Sequence, residues 1–184
     1  MRFTEQMAGW YTPSCPAYDA GFHTGRRDGR GLRFHLTIDT PDVRRLVADP
    51  QHRMSAHGWV EAKELGPVKM PVHDATFDVF APGSGPGRLL MRYELPFESA
   101  RGPMTLCGVK QVADNAGLDL WRDTTTLFTR VLDAERTEHG RGLLRLDLRM
   151  FSRQLTTFRG RPGELARFGS FFARALARTY AYPL

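Results

Sequence analysis

Apolar residues at every second position constrain this chain more than any other feature. In LRFHLTI (32–38), Leu32, Phe34, Leu36 and Ile38 share one face, while Arg33, His35 and Thr37 share the other. DATFDVF (74–80) groups Ala75, Phe77 and Val79. RLLMRYELPF (88–97) groups Leu89, Met91, Tyr93, Leu95 and Phe97 against Arg88, Arg92 and Glu94. Strand side chains point alternately to two faces, so these runs are half-buried antiparallel strands. RMSAHGWVEAKEL (53–65), MTLCGVKQV (104–112), DLWRDTTTLFTRVL (119–132) and GLLRLDLRMFSRQLTTF (142–158) extend the series; the last puts Leu144, Leu146, Leu148 and Met150 on one face. APGSGPG (81–87) and ADNAG (113–117) are turn sequences between them.

Two stretches break the period of two. In TPDVRRLVADP (40–50), Thr40 suits an N-cap and Pro41 the first helical position, with Val43, Leu46 and Val47 as a short apolar stripe. Near the C-terminus, Leu165, Phe168, Phe172 and Leu176 recur at helical spacing, opposite Arg167, Arg174 and Arg178, which predicts an amphipathic helix over 162–180. Residues 1–31, rich in Gly, Pro and aromatics, read as an irregular arm.

The expected fold is mainly β: an antiparallel meander over 32–158 that closes into a lipocalin- or calycin-like barrel, with a short early helix and the terminal helix, all in one domain spanning 1–184. Closure removes the exposed edges of a long meander. A half-open sheet curled around the terminal helix is the alternative. A barrel of about eight strands has room inside for one small ligand.

Composition narrows the function classes. No apolar run approaches the roughly 20 residues of a membrane helix, so no membrane insertion is expected. MRFTEQMAGW lacks the apolar stretch of a signal peptide, which points to the cytoplasm. Two cysteines are too few for a disulfide framework. The net charge of +6 and pI near 9.8 invite a nucleic-acid reading. The arginines are scattered, however, and no recognition motif accompanies them, so nucleic acid is not expected.

The strand 119–132 is unusual because both faces mix apolar, hydroxyl and charged groups. A tight turn at ADNAG would set Lys110 opposite Trp121, Gly108 opposite Asp123 and Leu106 opposite Thr125. Lys110 and Asp123 then become diagonal neighbours. Two readings follow. The odd face lines a pocket, with Trp121 as a wall, Asp123 and Lys110 as a charged pair, Thr125 and Thr129 as hydroxyl donors, and Gly108 leaving space. Otherwise the pair lies on the surface and the even face turns inward. Under the pocket reading, Asp123 is the candidate acid or base and Lys110 stabilises developing negative charge. Trp121, Thr125, Tyr93, Gly108, Met91 and Phe77 shape the binding surface.

Other signals are weaker. His52, His57 and His73 show no three-ligand convergence, so no metal is expected. No Ser stands in a GxSxG elbow, and Pro86 spoils GSGPG as a phosphate loop, so no cofactor is expected.

FTEQMAGW, LPFESARGPMTLCGVKQV, DLWRDTTTLFTRVL and FSRQLTTF with RFGSFF together resemble a domain that accompanies GMC-type (cholesterol-oxidase-like) flavin oxidoreductases in large actinobacterial proteins. The resemblance covers most of the chain. It implies a hydrophobic substrate such as a steroid, terpenoid or polyketide, and it carries over no catalytic residues. The chain itself holds no flavin motif.

The functional expectation is a cofactor-independent cyclase or isomerase acting on a hydrophobic small molecule. The alternative is a non-catalytic carrier or accessory binding domain for an oxidoreductase. A third option is a partner-binding surface on the basic terminal helix. Expected partners are the small molecule and, at most, a second copy of the chain in a homodimer.

Overall fold

The structure is a computed structural model, and it describes residues 1–66, 68–84, 88–112 and 124–180. Eight strands form a closed antiparallel barrel of the lipocalin-like kind. In chain order they are β1 (Arg2–Pro13), β2 (Gly31–Asp39), β3 (Arg53–Glu61), β5 (Ala75–Pro82), β6 (Leu89–Ser99), β7 (Gly102–Val112), β8 (Thr126–Leu132) and β9 (Glu138–Arg145). Each pairs with the next, and β9 returns to β1. β4 (Met70–Pro71) adds a two-residue pairing to β3.

Among the described residues, four helices with both ends defined decorate the barrel: α1 (Tyr18–Arg27), α2 (Val43–Ala48), α3 (Leu148–Leu155) and α4 (Pro162–Tyr180). The first packs across β1 and β9. Gly21 and Gly25 sit four apart on one helix face, over the backbone carbonyls of Arg141 and Tyr11 respectively. A Cβ at either position would strike a carbonyl, so both glycines serve close helix–strand approach.

The N-terminal residues are the main correction to the sequence reading. They form β1 and α1, not an irregular arm, and β1 closes the barrel. Its inward positions are Phe3, Glu5, Met7 and Tyr11, all buried. The carboxylate among them interrupts the apolar alternation that marked the other strands. The barrel therefore runs from Arg2 to Arg145, not from 32 to 158.

Two further corrections concern ends of elements. Residues 142–158 are not one strand. β9 stops at Arg145, and Asp147 caps α3 by accepting from the Met150 N–H at 2.7 Å. Leu148, Phe151 and Leu155 fit a helical period as readily as Leu148 and Met150 fit a strand, and the cap decides between them. Likewise Asp42, not Thr40, caps α2, accepting from Arg44 N–H at 2.7 Å. Thr40 is instead tied by its backbone to Met1.

One end of the barrel is solid. Met7, Leu95, Leu106, Leu127, Val131 and Leu144 are fully buried there. The other end is hollow and is covered by α3 and α4. Phe158, in the link between those helices, stacks on Phe3 at 4.7 Å between ring centroids, and Phe168 packs beside both. A register shift in β5 between Asp78 and Ala81 divides the labour of two neighbours. Val79 faces the hollow, while Phe80 adopts φ 56° and turns onto Phe172 of α4 at 4.6 Å. A left-handed Phe costs on the order of 1–3 kcal/mol, so the contact with α4 must offset it.

Candidate functional site

The hollow end contains a buried polar cluster. Lys110 Nζ donates to Glu5 Oε1 at 2.6 Å, and Tyr93 Oη donates to Glu5 Oε2 at 2.8 Å. Glu5, Tyr93 and Lys110 are each 2% exposed. The Lys110 ammonium lies 5.3 Å from the centroid of the Tyr93 ring.

The barrel register brings these three together. Met91 on β6 is opposite Lys110 on β7, and Tyr93 is opposite Gly108, so Tyr93 and Lys110 are diagonal neighbours on the inner face. Glu5 comes from β1, and β8 and β9 separate β1 from β7. The ion pair therefore reaches across the bore. Burying two charges carries a desolvation penalty that good geometry and added hydrogen bonds only partly offset. Burial first, then the adjacent Glu5 carboxylate and the hydrogen bond to it, hold the Tyr93 phenol well above its ordinary pKa.

The cluster borders a cavity of about 500 Å³. That lies within the range of roughly 300–1,000 Å³ typical of small-molecule pockets. Phe3, Phe77, Val79 and Met91 wall it from the barrel; Phe151, Phe158 and Phe168 wall it from the cap. Thr125 and Gln154, the latter on α3, add polar groups to the wall. A larger hollow of about 930 Å³ lies outside the barrel between Val47, Phe80 and Phe171, with Arg174 and Arg178 along it. Those arginines are exposed to water, so that hollow has no buried charge to orient a guest and is the weaker candidate.

Of the residues proposed from sequence, Lys110, Tyr93, Met91, Phe77 and Thr125 line the cavity together. Asp123 and Trp121 lie outside the described residues. The expected register is corrected: β7 and β8 pair Leu106 with Val131 and Gly108 with Thr129, not with Thr125 and Asp123. Gly108 does not line the cavity. A Cβ there would press on the Leu127 side chain, with contacts from 2.8 Å, so Gly108 makes room for core packing. The odd side of β8 does face inward, since Leu127, Thr129 and Val131 are all buried. Thr129, however, bonds the Leu127 carbonyl at 3.2 Å and is absent from the cavity wall.

Sequence reasoning missed Glu5, the described ion-pair partner of Lys110. A signal existed: a lone carboxylate two residues from Phe3 and two from Met7 in an alternating run. Gln154 and Phe158 were missed because residues 148–158 were read as strand and the cap was not anticipated.

Among the described residues no three His, Cys, Asp or Glu side chains converge as metal ligands, and no helix is long and apolar enough to cross a membrane. Compared with known proteins, the chain matches no family profile, no curated sequence and no solved structure.

Proposed function

We propose that the barrel binds a mostly apolar small molecule in the hollow beneath α3 and α4, oriented by the Glu5–Lys110–Tyr93 cluster. One observation carries this reading: a buried ion pair borders an apolar cavity of about 500 Å³ instead of packed side chains. A barrel that only filled its own core would gain more from apolar residues at those positions. The test uses Nile red, a neutral apolar dye, with the purified protein. We expect enhanced fluorescence and a saturable titration, both lost in Ala173→Trp, which fills the cavity from an exposed site on α4. Unchanged dye binding in that variant, with the fold intact by circular dichroism, would sink the reading.

The chemistry we propose is a cofactor-independent isomerisation or cyclisation of a carbonyl compound. Lys110 would donate to the carbonyl oxygen and stabilise the enolate as a proton leaves the neighbouring carbon; the proton returns to another carbon of the same molecule, so nothing is gained or lost. Glu5 would take that proton on a carboxylate lone pair that neither Tyr93 nor Lys110 occupies. Both its oxygens are engaged at 2.8 and 2.6 Å, and this favours a second reading, a carrier or an oxidoreductase accessory domain that holds its guest unchanged. Native mass spectrometry of freshly purified protein would identify the guest. Deuterium exchange into that guest in heavy water, present in the wild type and absent in Lys110→Met, supports catalysis. Return of the guest unlabelled supports the carrier.

A further inference from the structure

We infer that the guest is neutral and carries two oxygens, an acceptor that meets Lys110 and a hydroxyl that meets Gln154. This rests on the binding reading above and narrows its ligand class.

The acceptor follows from the cluster. An ammonium has three N–H donors and accepts nothing. Among the described residues Glu5 Oε1 is the one hydrogen-bond partner of Lys110, at 2.6 Å. Its remaining donors suit a carbonyl or ether oxygen. Neutrality follows from the same pair. Glu5 and Lys110 are the charged groups among the described residues of the wall and they cancel, so a carboxylate guest would bring an uncompensated charge into an apolar enclosure.

The hydroxyl follows from the cap. Gln154 Oε1 is buried and has no donor among the described residues, and Gln154 lines the same cavity. A buried acceptor left unpaired is destabilising, and such groups mark sites where a partner is missing. A hydroxyl donates to it. The two polar points belong to different walls, Lys110 to β7 and Gln154 to α3, with Phe77, Phe151 and Phe168 among the apolar surfaces around them. The complementary molecule is an apolar body with a ketone at one end and a hydroxyl at the other.

Three fluorescent probes on one ring system test this: a propionyl naphthol, the same ketone lacking the hydroxyl, and the naphthol carboxylic acid. The hydroxyketone should bind about tenfold more tightly than the plain ketone, the size of one well-made hydrogen bond. In Gln154→Met the hydroxyketone and the plain ketone should bind with equal affinity. This variant should melt at the wild-type temperature or slightly above it, because it removes a buried unpaired acceptor from a helix that buries no residue fully. The carboxylic acid should bind at least about tenfold more weakly than the ketone near neutral pH. Equal affinity for the two ketones, a preference that survives in Gln154→Met, or tightest binding by the acid overturns the inference. Nile red binding without any naphthyl binding also overturns it and leaves the cavity reading standing. Loss of Nile red binding as well overturns both.

Discussion

The barrel and its helical cap are built on opposite principles. The barrel closes its hydrogen-bonding edges, fills one end with fully buried side chains and ties Glu5 to Lys110 across its bore. Within the cap, α4 buries Phe168 and Phe171, but α3 is loosely seated. α3 has no fully buried residue, and Leu148 and Leu155 are 71% and 56% exposed. Charge divides the same way. Residues 146–180 hold seven arginines and two acids, five of the chain's six net positive charges, while the rest is close to balanced. Most of the buried core therefore belongs to the barrel, and the cap supplies the other wall of the cavity.

The largest expected effect is on the barrel. Lys110→Met alone leaves the Glu5 carboxylate buried without its cation, and urea unfolding should show a loss of about 3–5 kcal/mol. Adding Glu5→Gln should recover most of it. Arg153→Met, an exposed cation on α3, should change stability by no more than about 0.5 kcal/mol. Equal losses at Lys110 and Arg153 would erase the distinction between the two regions.

Hydrogen exchange under native conditions sharpens the same contrast. The amides of α3 should exchange through local opening, well below the global unfolding free energy, while those of β6 and β7 should require global unfolding. Protection of α3 equal to that of β7 would make the cap an integral part of the core.

An alkaline titration probes the interior. Tyr93 and Tyr11 are both held above the ordinary tyrosine pKa, chiefly by burial. Below about pH 10 folded and unfolded chains both keep these protons. Above it the unfolded phenols ionise first, so the unfolded chain binds fewer protons and stability falls as pH rises. Tyrosinate absorbance should show that two of the five tyrosines ionise only with unfolding. Tyr93→Phe should flatten the fall in stability above pH 10.

The smallest effects come last. Tyr11 Oη is buried with no hydrogen-bond partner among the described residues. Tyr11→Phe should be neutral or stabilise by up to about 1 kcal/mol, because a buried unpaired hydroxyl is removed. Leu148→Ser should lie within about 0.5 kcal/mol. Thermal melts distinguish both from a packing loss.

Period-two alternation was legible wherever the inward face was purely apolar, as at Leu32–Ile38 and Leu89–Phe97. It identified the strands, and edge closure implied the barrel. It also placed Tyr93, Met91 and Phe77 on the apolar faces of their strands, while for Lys110 it left an inward and a surface reading open. Alternation failed where function or capping intruded. Glu5 disguised β1, and the strand-like run Leu144–Met150 hid a helix start that depends on Asp147.

Where the alternation was clean, local pattern alone determined which residues share the buried face, because side-chain direction along a strand follows from backbone geometry. It could not determine which strands lie across the bore from one another. Only barrel closure brought Glu5 to Lys110, 105 positions along the chain, and only the seating of α3 and α4 left a hollow instead of a filled core. Those outcomes depend on packing between distant segments, which no local run of residues encodes.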